Sequence, residues 1–137
     1  MTDSLSVCLV TPSKQVLDEQ VTYASVPAWD GQMGMAPRRA AIVMKLGDGP
    51  LRLDFAEGGS RWFFIAGGFA QMRNNRLTLL SDEAVGAEDI VAGNAQKDFE
   101  QAQQVKAVDD EQVAAKQRRI ERARIMKHLS DRLDNKI

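Results

Sequence analysis

LRLDFAEGGSRWFFI, the stretch from Leu51 to Ile65, contains the patterns that decide the fold of the first half of the chain. Its first five residues alternate between apolar and charged side chains, which is typical of a β-strand with one buried and one solvated face. The glycines at Gly58–Gly59 then supply a turn signal. The stretch ends in Trp62–Ile65, four apolar residues in a row, which predict a strand covered on both faces.

The same alternation recurs on both sides of this hairpin. Leu5, Val7 and Leu9, for example, alternate with serines and Cys8. Strands at this spacing, separated by turn signals, predict an antiparallel β-sandwich or barrel over residues 1–84. The remaining turn signals are Thr11-Pro12-Ser13, Asp30-Gly31, Gly47-Asp48-Gly49 and Asn74-Asn75, and Gly67-Gly68 predicts a bend between strands.

After Asp82 the composition changes to strong helix formers, with no proline and no glycine after Gly93. This half predicts a two-helix hairpin over residues 85–137 that breaks near residues 107–110, with Asp109, Asp110 and Glu111 at the start of the second helix. Its apolar stripes are thin, so we expect the hairpin to depend on docking to the β-domain or to another chain. The expected stripe residues are Val91, Ala95, Phe99, Ala102 and Val105 on the first helix, and Val113, Ile120, Ala123, Met126 or Leu129, and Leu133 on the second.

The overall composition argues against several functional classes. A net charge of −1 is not that of a general nucleic-acid binder, and the apolar runs are too short to span a bilayer. The start of the chain lacks the layout of a secretory signal, so we expect the chain to stay in the compartment where it is made. The single cysteine, Cys8, excludes an internal disulfide and predicts a buried thiol.

The residue types that most enzymes use are sparse. His128 is the only histidine, and we expect it on the surface of the second helix. No Ser-His-Asp set, His/Cys metal cluster or phosphate-binding glycine loop can be assembled from the sequence. We therefore expect no catalytic residues, no metal site and no cofactor, and a binding or coupling part of a larger assembly.

Arginines cluster on the second predicted helix. Alone, this pattern indicates either a solvated helix face or a basic helix that meets an acidic protein surface or nucleic acid. Because no aromatic residue follows Phe99, stacking on bases has no support and the protein surface is favoured. The basic residues of this stretch are Lys116, Arg118, Arg119, Arg122, Arg124, Lys127, Arg132 and Lys136.

An ordered set of short motifs resembles the epsilon subunit of F-type ATP synthases. The chain has DGQMGMAP at Asp30–Pro37, IAGGF at Ile65–Phe69, NRLTLLSDEA at Asn75–Ala84 and AEDI at Ala87–Ile90. The family shows G-x-x-G-x-L-P, S-G-G-F, V-T-V-L-A-D-x-A and A-E-x-I in the same order. The resemblance runs from about Leu5 to Ile90, with a compatible helical tail.

The resemblance implies a β-sandwich and a rotor subunit of the central stalk without catalysis of its own. It implies that the sandwich packs on gamma and that a loop touches the c subunits of the membrane rotor ring, with Gln32 and Met33 exposed as polar and apolar contacts. In this chain that loop is Asp30, Gly31, Gln32, Met33 and Gly34.

The resemblance further implies that the helical hairpin extends to the alpha and beta subunits of the catalytic head and blocks ATP hydrolysis. The expected contacts with the head are then Arg118, Arg119, Arg122 and Arg124 of the second helix. The implied location is the cytoplasmic side of a bacterial inner membrane, which the chain contacts only indirectly through protein partners, and no nucleic acid is involved. The alternative is a β-sandwich scaffold whose helical tail pairs with a coiled-coil partner.

Two departures from the family pattern stand out. The family's Gly-His before A-P-L is replaced by Arg38-Arg39, which puts any role of that histidine in doubt. The nucleotide-binding pattern I-D-x-x-R-A of some members falls on residues 90–95, where Val91 and Asn94 replace the aspartate and the arginine. We therefore expect no nucleotide binding.

Overall fold

The computed structural model describes residues 4–90 and 92–134, without the side chains of residues 92 and 132–134. The chain divides into two compact units, Met1–Val85 and Gly86–Ile137, named the β-unit and the helical unit below.

The strands pair into two five-stranded sheets, as the alternating patterns predicted. Sheet A has the order β2-β1-β9-β8-β5, and sheet B has the order β10-β7-β6-β3-β4. The predicted sandwich is confirmed, although β1 and β9 run parallel rather than antiparallel. The strands are β1 Leu5–Val10, β2 Gln15–Val21, β3 Tyr23–Ala28, β4 Gly31–Met35, β5 Ile42–Lys45, β6 Gly49–Asp54, β7 Ser60–Ala66, β8 Phe69–Arg73, β9 Arg76–Leu80 and β10 Glu83–Gly86.

Alternate side chains of the two sheets meet in one apolar core. Leu51 and Leu53 of β6 belong to it, as do Phe63 and Ile65 of β7. Phe64, which lies between the latter two and therefore on the opposite face of the sheet, is also fully buried. The prediction that this strand is covered on both faces is confirmed.

The glycine pair at Gly67–Gly68 is the corner at which the chain leaves sheet B and enters sheet A. Both residues have a positive φ, of 60° and 101°, which glycine adopts without the penalty that a side chain would bring. The amide of Gly67 donates to the carbonyl of Gly47 at 3.2 Å. The predicted bend is therefore a sheet-to-sheet crossing.

Two predicted turns differ in outcome. Asn74 and Asn75 have φ of 50° and 60° and form the two-residue turn between β8 and β9, as expected. Between β3 and β4, however, the turn residues are Trp29 and Asp30, not Asp30-Gly31. Gly31 instead opens β4 opposite Ala28, with a φ of 135° that only glycine tolerates well.

The helical unit contains α1 at Ala92–Gln104 and α2 at Asp110–Asp134, preceded by a 3₁₀ turn at Ala87–Asp89. The predicted hairpin is confirmed, with its break at residues 105–109. Asp109 caps α2, because its Oδ1 accepts from the amide of Gln112 at 2.7 Å. The side chain of Gln112 accepts in return from the amide of Val108 at 2.9 Å, which holds the loop.

The apolar stripes were only partly predicted. Val105 and Val113 are 40% and 44% exposed, so their placement in a buried stripe was wrong. Both lie at the turn end of the hairpin, where Val105 follows the last residue of α1 and Val113 is in the first turn of α2. Val91 and the side chain of Leu133 lie outside the described residues. The buried stripe members are Ala95, Ala102, Ala123 and Leu129, and Phe99, Ile120 and Met126 are partly buried.

Cys8 and His128 have the environments that the sequence predicted. Cys8 is a free, buried cysteine on β1. His128 is exposed on α2. In the described part of the chain, no helix is both long and apolar enough to cross a membrane.

Gly68→Ala is expected to destabilise the β-unit far more than Gly58→Ala. The two glycines have similar φ, 101° and 95°, but a Cβ at Gly68 would lie 1.8 Å from the Leu80 carbonyl oxygen, whereas a Cβ at Gly58 would meet nothing within 4 Å. We expect a loss of about 1 kcal/mol for Gly58→Ala, from backbone strain alone, and at least about 2 kcal/mol more for Gly68→Ala. Urea unfolding of both variants measures the difference, and equal losses would show that the corner can relax.

Candidate functional site

The hairpin of β3 and β4 carries the predicted rotor-ring contact. Its tip presents Trp29, which is 69% exposed, followed by exposed Asp30 and Gly31. The amide of Trp29 donates to the carbonyl of Lys45 at 3.0 Å, which ties the tip to the end of β5. A two-residue turn with this extra bond places an aromatic and a carboxylate at a fixed point of the surface.

Of the two residues expected to be exposed at the tip, Gln32 is exposed and Met33 is only partly exposed. Gln32 is exposed, but its side chain accepts from Ser25 Oγ at 2.9 Å and donates to the Pro50 carbonyl at 3.2 Å. Met33 is only partly exposed and packs against the core. Trp29 is therefore the exposed large apolar side chain at the tip. It was missed because the turn lies one residue earlier than the Asp-Gly pair indicated.

Gly34 serves packing within the hairpin. The ring of Tyr23, on the neighbouring strand, covers it so closely that a Cβ at position 34 would lie 1.9 Å from Tyr23 Oη and 2.8 Å from Cζ. The glycine thus allows a tyrosine to lie across the strand pair.

The outer face of sheet A exposes large apolar side chains. Val43, Phe69 and Leu80, named the apolar row, are 69%, 58% and 53% exposed. Phe69 pairs with Leu80 on one side and with Lys45 on the other, so the row crosses β5, β8 and β9. Exposed apolar side chains grouped in this way mark interaction surfaces. A groove of about 510 Å³ runs beside them, lined by Val10, Thr11, Pro12, Lys45, Gly68, Phe69, Leu80, Ser81 and Asp82.

Two of the four predicted head-contact arginines bind α1 within the helical unit. Arg119 donates to Asp98 Oδ1 through Nη2 at 2.7 Å and through Nε at 3.2 Å. Arg124 lies over the ring of Phe99, 5.9 Å from its centroid, and donates to Glu121 at 2.9 Å. Arg118, Arg119 and Arg122 lie on one side of α2, because residues three or four apart share a helix face, whereas Arg124 faces another direction.

Arg118 and Arg122 differ in exposure. Arg118 is exposed and Arg122 is partly buried on α2. The hairpin as folded thus uses some of its basic residues internally.

The loop with the unusual Arg38-Arg39 pair crosses from β4 to β5. Arg38 has a φ of 67°, and its amide donates to Asn75 Oδ1 at 2.5 Å. The guanidinium of Arg39 lies 3.7 Å from Met33 Sδ. Position 38 is thus one where glycine would be free of strain, which agrees with the glycine of the family pattern.

Within residues 4–90 and 92–134, no group of three His, Cys, Asp or Glu residues is arranged to hold a metal ion. The features with interaction potential in this part of the chain are surfaces: the β3–β4 tip, the apolar row and the basic face of α2.

Comparison with known proteins gives the chain its family context. Residues 4–87 match the family model described as ATP synthase, Delta/Epsilon chain, beta-sandwich domain. The ATP synthase epsilon chain of Nitratidesulfovibrio vulgaris (strain DP4) is 37% identical over 131 residues, which cover 91% of this chain and 97% of the relative.

Two solved assemblies contain chains of the same fold. A chain of the Euglena gracilis mitochondrial ATP synthase, OSCP/F1/c-ring, superposes with a TM-score of 0.83 at 21% identity, covering 93% of this chain and 82% of that one. A chain of the Tetrahymena thermophila mitochondrial ATP synthase, central stalk and c-ring, gives a TM-score of 0.70 at 17% identity, covering 92% and 96%. At these identities the likeness concerns the fold.

Gly34→Ala is expected to destabilise the β-unit by about 1–3 kcal/mol, because the new methyl group overlaps the ring of Tyr23. Tyr23→Phe in the same chain removes the nearest atom and should restore part of the loss. Thermal or urea unfolding of the two single variants and the double variant measures the coupling. Additive effects of the two substitutions would contradict this packing.

Proposed function

The chain belongs to the family of ATP synthase epsilon chains, non-catalytic subunits of the central stalk, and we propose that it couples gamma to the membrane rotor ring and restrains ATP hydrolysis through its helical hairpin. The observation that carries the proposal is the difference between the cores of two separate units, a β-unit with a large apolar core and a helical unit whose buried described side chains are mostly alanine. In this proposal residues 1–84 contact gamma and the ring, and residues 85–137 regulate.

The β3–β4 hairpin is the proposed contact with the c subunits of the ring. The segment Asp30–Gly34 was assigned to this contact, and we add Trp29, whose exposed ring is the largest apolar side chain at the tip. Transmission of torque needs a joint that does not bend. The bonds of Gln32 to Ser25 and to Pro50, and of Trp29 to Lys45, support such stiffness.

The outer face of sheet A is the proposed contact with gamma. Its apolar row of Val43, Phe69 and Leu80 offers the kind of surface that forms the core of a protein interface. The groove beside Phe69 gives a complementary side chain a place to insert. Lys45, Gln71 and Thr78 add polar and charged side chains to the same face, as is typical of an interface rim.

The arginines of α2 are the proposed contacts through which the extended hairpin restrains ATP hydrolysis, a role called the brake below. In the extended hairpin, Arg118, Arg119, Arg122 and Arg124 would meet acidic surface on the alpha and beta subunits. Arg119 cannot donate to Asp98 and to a carboxylate of the head with the same atoms. The folded hairpin and the extended, inhibiting hairpin therefore compete for this side chain. The ion pair is about half exposed, and such pairs contribute only about 0–1 kcal/mol, so the competition is easily reversed.

The proposed location follows from the proposed partners. A subunit held by gamma and by the ring of a proton- or sodium-translocating enzyme lies at the cytoplasmic side of the bacterial inner membrane. It is peripheral there, and its link to the membrane is through protein contacts.

ATP hydrolysis by the cognate catalytic head with gamma tests the brake. We expect the whole chain to lower the rate relative to the head alone, and a chain ending at Gly86 to bind without lowering it. The reason is that the shortened chain keeps the strands of the β-unit and loses α1 and α2. A steady-state hydrolysis assay, with binding confirmed by gel filtration, provides the measurement.

A pair of single variants gives the matched control. Asp98→Asn removes the internal partner of Arg119 but keeps every basic residue, so it should inhibit more strongly than the wild-type chain. Arg119→Gln breaks the same pair and also removes a head contact, so it should inhibit less than Asp98→Asn. Equal ATP hydrolysis rates with every bound form would refute the brake, and the coupling role would remain as the proposed function. Failure of the whole chain to bind would favour the scaffold alternative.

A further inference from the structure

A second groove opens on the outer face of sheet A, at the opposite end of β8 from Phe69. It has a volume of about 310 Å³ and lies beside the Asn74–Asn75 turn, between β8 and β9. We name it the arginine groove. Its lining residues are Gln71, Arg73, Asn74, Arg76 and Thr78.

The arginine groove brings two positive charges together across one hairpin. Arg73 and Arg76 are direct cross-strand partners, separated only by the two-residue turn, and both are exposed. Like charges directly opposite each other in a strand pair destabilise the pair. The arrangement therefore costs stability in the chain by itself.

A third arginine, Arg38, lies beside the groove, and its backbone is strained. Arg38 has a φ of 67°, a region that side-chain-bearing residues rarely occupy. The amide of Arg38 donates to the side chain of Asn75 in the turn, so residue 38 lies beside the groove. Strained and like-charged features that persist together are typical of binding sites.

Among the described residues, one carboxylate is paired with an arginine of the groove. Asp18 on β2 lies with Oδ2 3.7 Å from Arg76 Nη2, and this pair is about half exposed. One half-exposed carboxylate does not neutralise both Arg73 and Arg76. The groove is therefore a positive surface that remains accessible to solvent.

The position of the groove beside the apolar row favours a protein as its binding partner. Phe69 and Arg73 lie on the same face of β8, about 13 Å apart along the strand, with Gln71 between them. A partner that covers the apolar row thus reaches the arginine groove without a gap. A carboxylate is the protein group that pairs with arginine in bidentate geometry.

We propose that the arginine groove binds an acidic side chain of gamma, and that this contact orients gamma on sheet A. The inference rests on the proposed function, since gamma is the partner assigned to this face. One end of the surface has Phe69 and Leu80 beside the single cation Lys45, and the other end has the Arg73–Arg76 pair, so a partner surface that matches both ends fits in one direction. The charge at this end is a feature of this chain's own arginines, with Arg38 at a position where the family pattern has glycine.

The test is the affinity of the full chain for the cognate catalytic head with gamma, stripped of this subunit, over a series of KCl concentrations. Arg73→Glu with Arg76→Glu should weaken binding by about tenfold or more at low salt, because the new charges repel the partner's carboxylates. Arg73→Gln with Arg76→Gln should weaken it less and should flatten the salt dependence. The matched control is Lys97→Glu with Lys106→Glu, which makes the same change in net charge on exposed positions of the helical unit.

Thermal unfolding separates binding from folding. Arg73→Gln with Arg76→Gln relieves a like-charge pair and loses only the half-exposed Asp18–Arg76 pair, so its Tm should stay close to that of the wild-type chain. Loss of affinity with a maintained Tm, and with a control that binds like the wild type, supports the proposal. Wild-type affinity in both arginine double variants overturns it and leaves the gamma contact intact. A wild-type chain that does not bind the gamma-containing head overturns the proposed function, and this inference with it.

Discussion

The packing of alternate strand residues into one core is the constraint on which the rest of the molecule depends. Leu51, Leu53, Phe63 and Ile65 fill that core from sheet B, and both sheets are held in register by it. The helices α1 and α2 bury mainly alanine, with Leu129 as the large exception. Buried apolar area stabilises at roughly 25 cal/mol per Å², so an alanine-lined contact is far weaker than a leucine- and phenylalanine-lined one. The chain thus joins a unit with a large buried apolar area to a unit with a small one.

That inequality agrees with the two proposed tasks of a stalk subunit. A part that transmits torque must keep its shape, and the strand pairs and the bonds of Gln32 favour this in the β3–β4 hairpin. A part that acts as a brake must change its contacts at small free-energy cost. The exposed Asp98–Arg119 pair and the small buried side chains of the hairpin meet that condition.

Much of the fold could be predicted from local patterns. The predictions failed where a contact joins residues distant in sequence, or where a turn is shifted by one residue. Period-two alternation and the glycine signals predicted the sandwich, and the composition after Asp82 predicted the helical hairpin. The parallel pairing of β1 with β9 could not be predicted, because it joins distant segments through no turn. Trp29 was missed because Gly31 takes its positive φ at the strand start rather than within the turn. The contact of Arg119 with Asp98 depends on how α1 and α2 face each other, which thin stripes do not determine.

The central claim is that the helical unit opens at much lower free energy than the β-unit, and native-state hydrogen exchange on the full chain tests it most directly. Amides of β1, β8 and β9 should exchange only through global unfolding. Amides of α1 and α2 should exchange through a separate opening that costs at least about 2 kcal/mol less, and Asp98→Asn should lower that cost further. Equal protection of helix and strand amides, unaffected by Asp98→Asn, would contradict the claim that the hairpin is a weakly held and movable element.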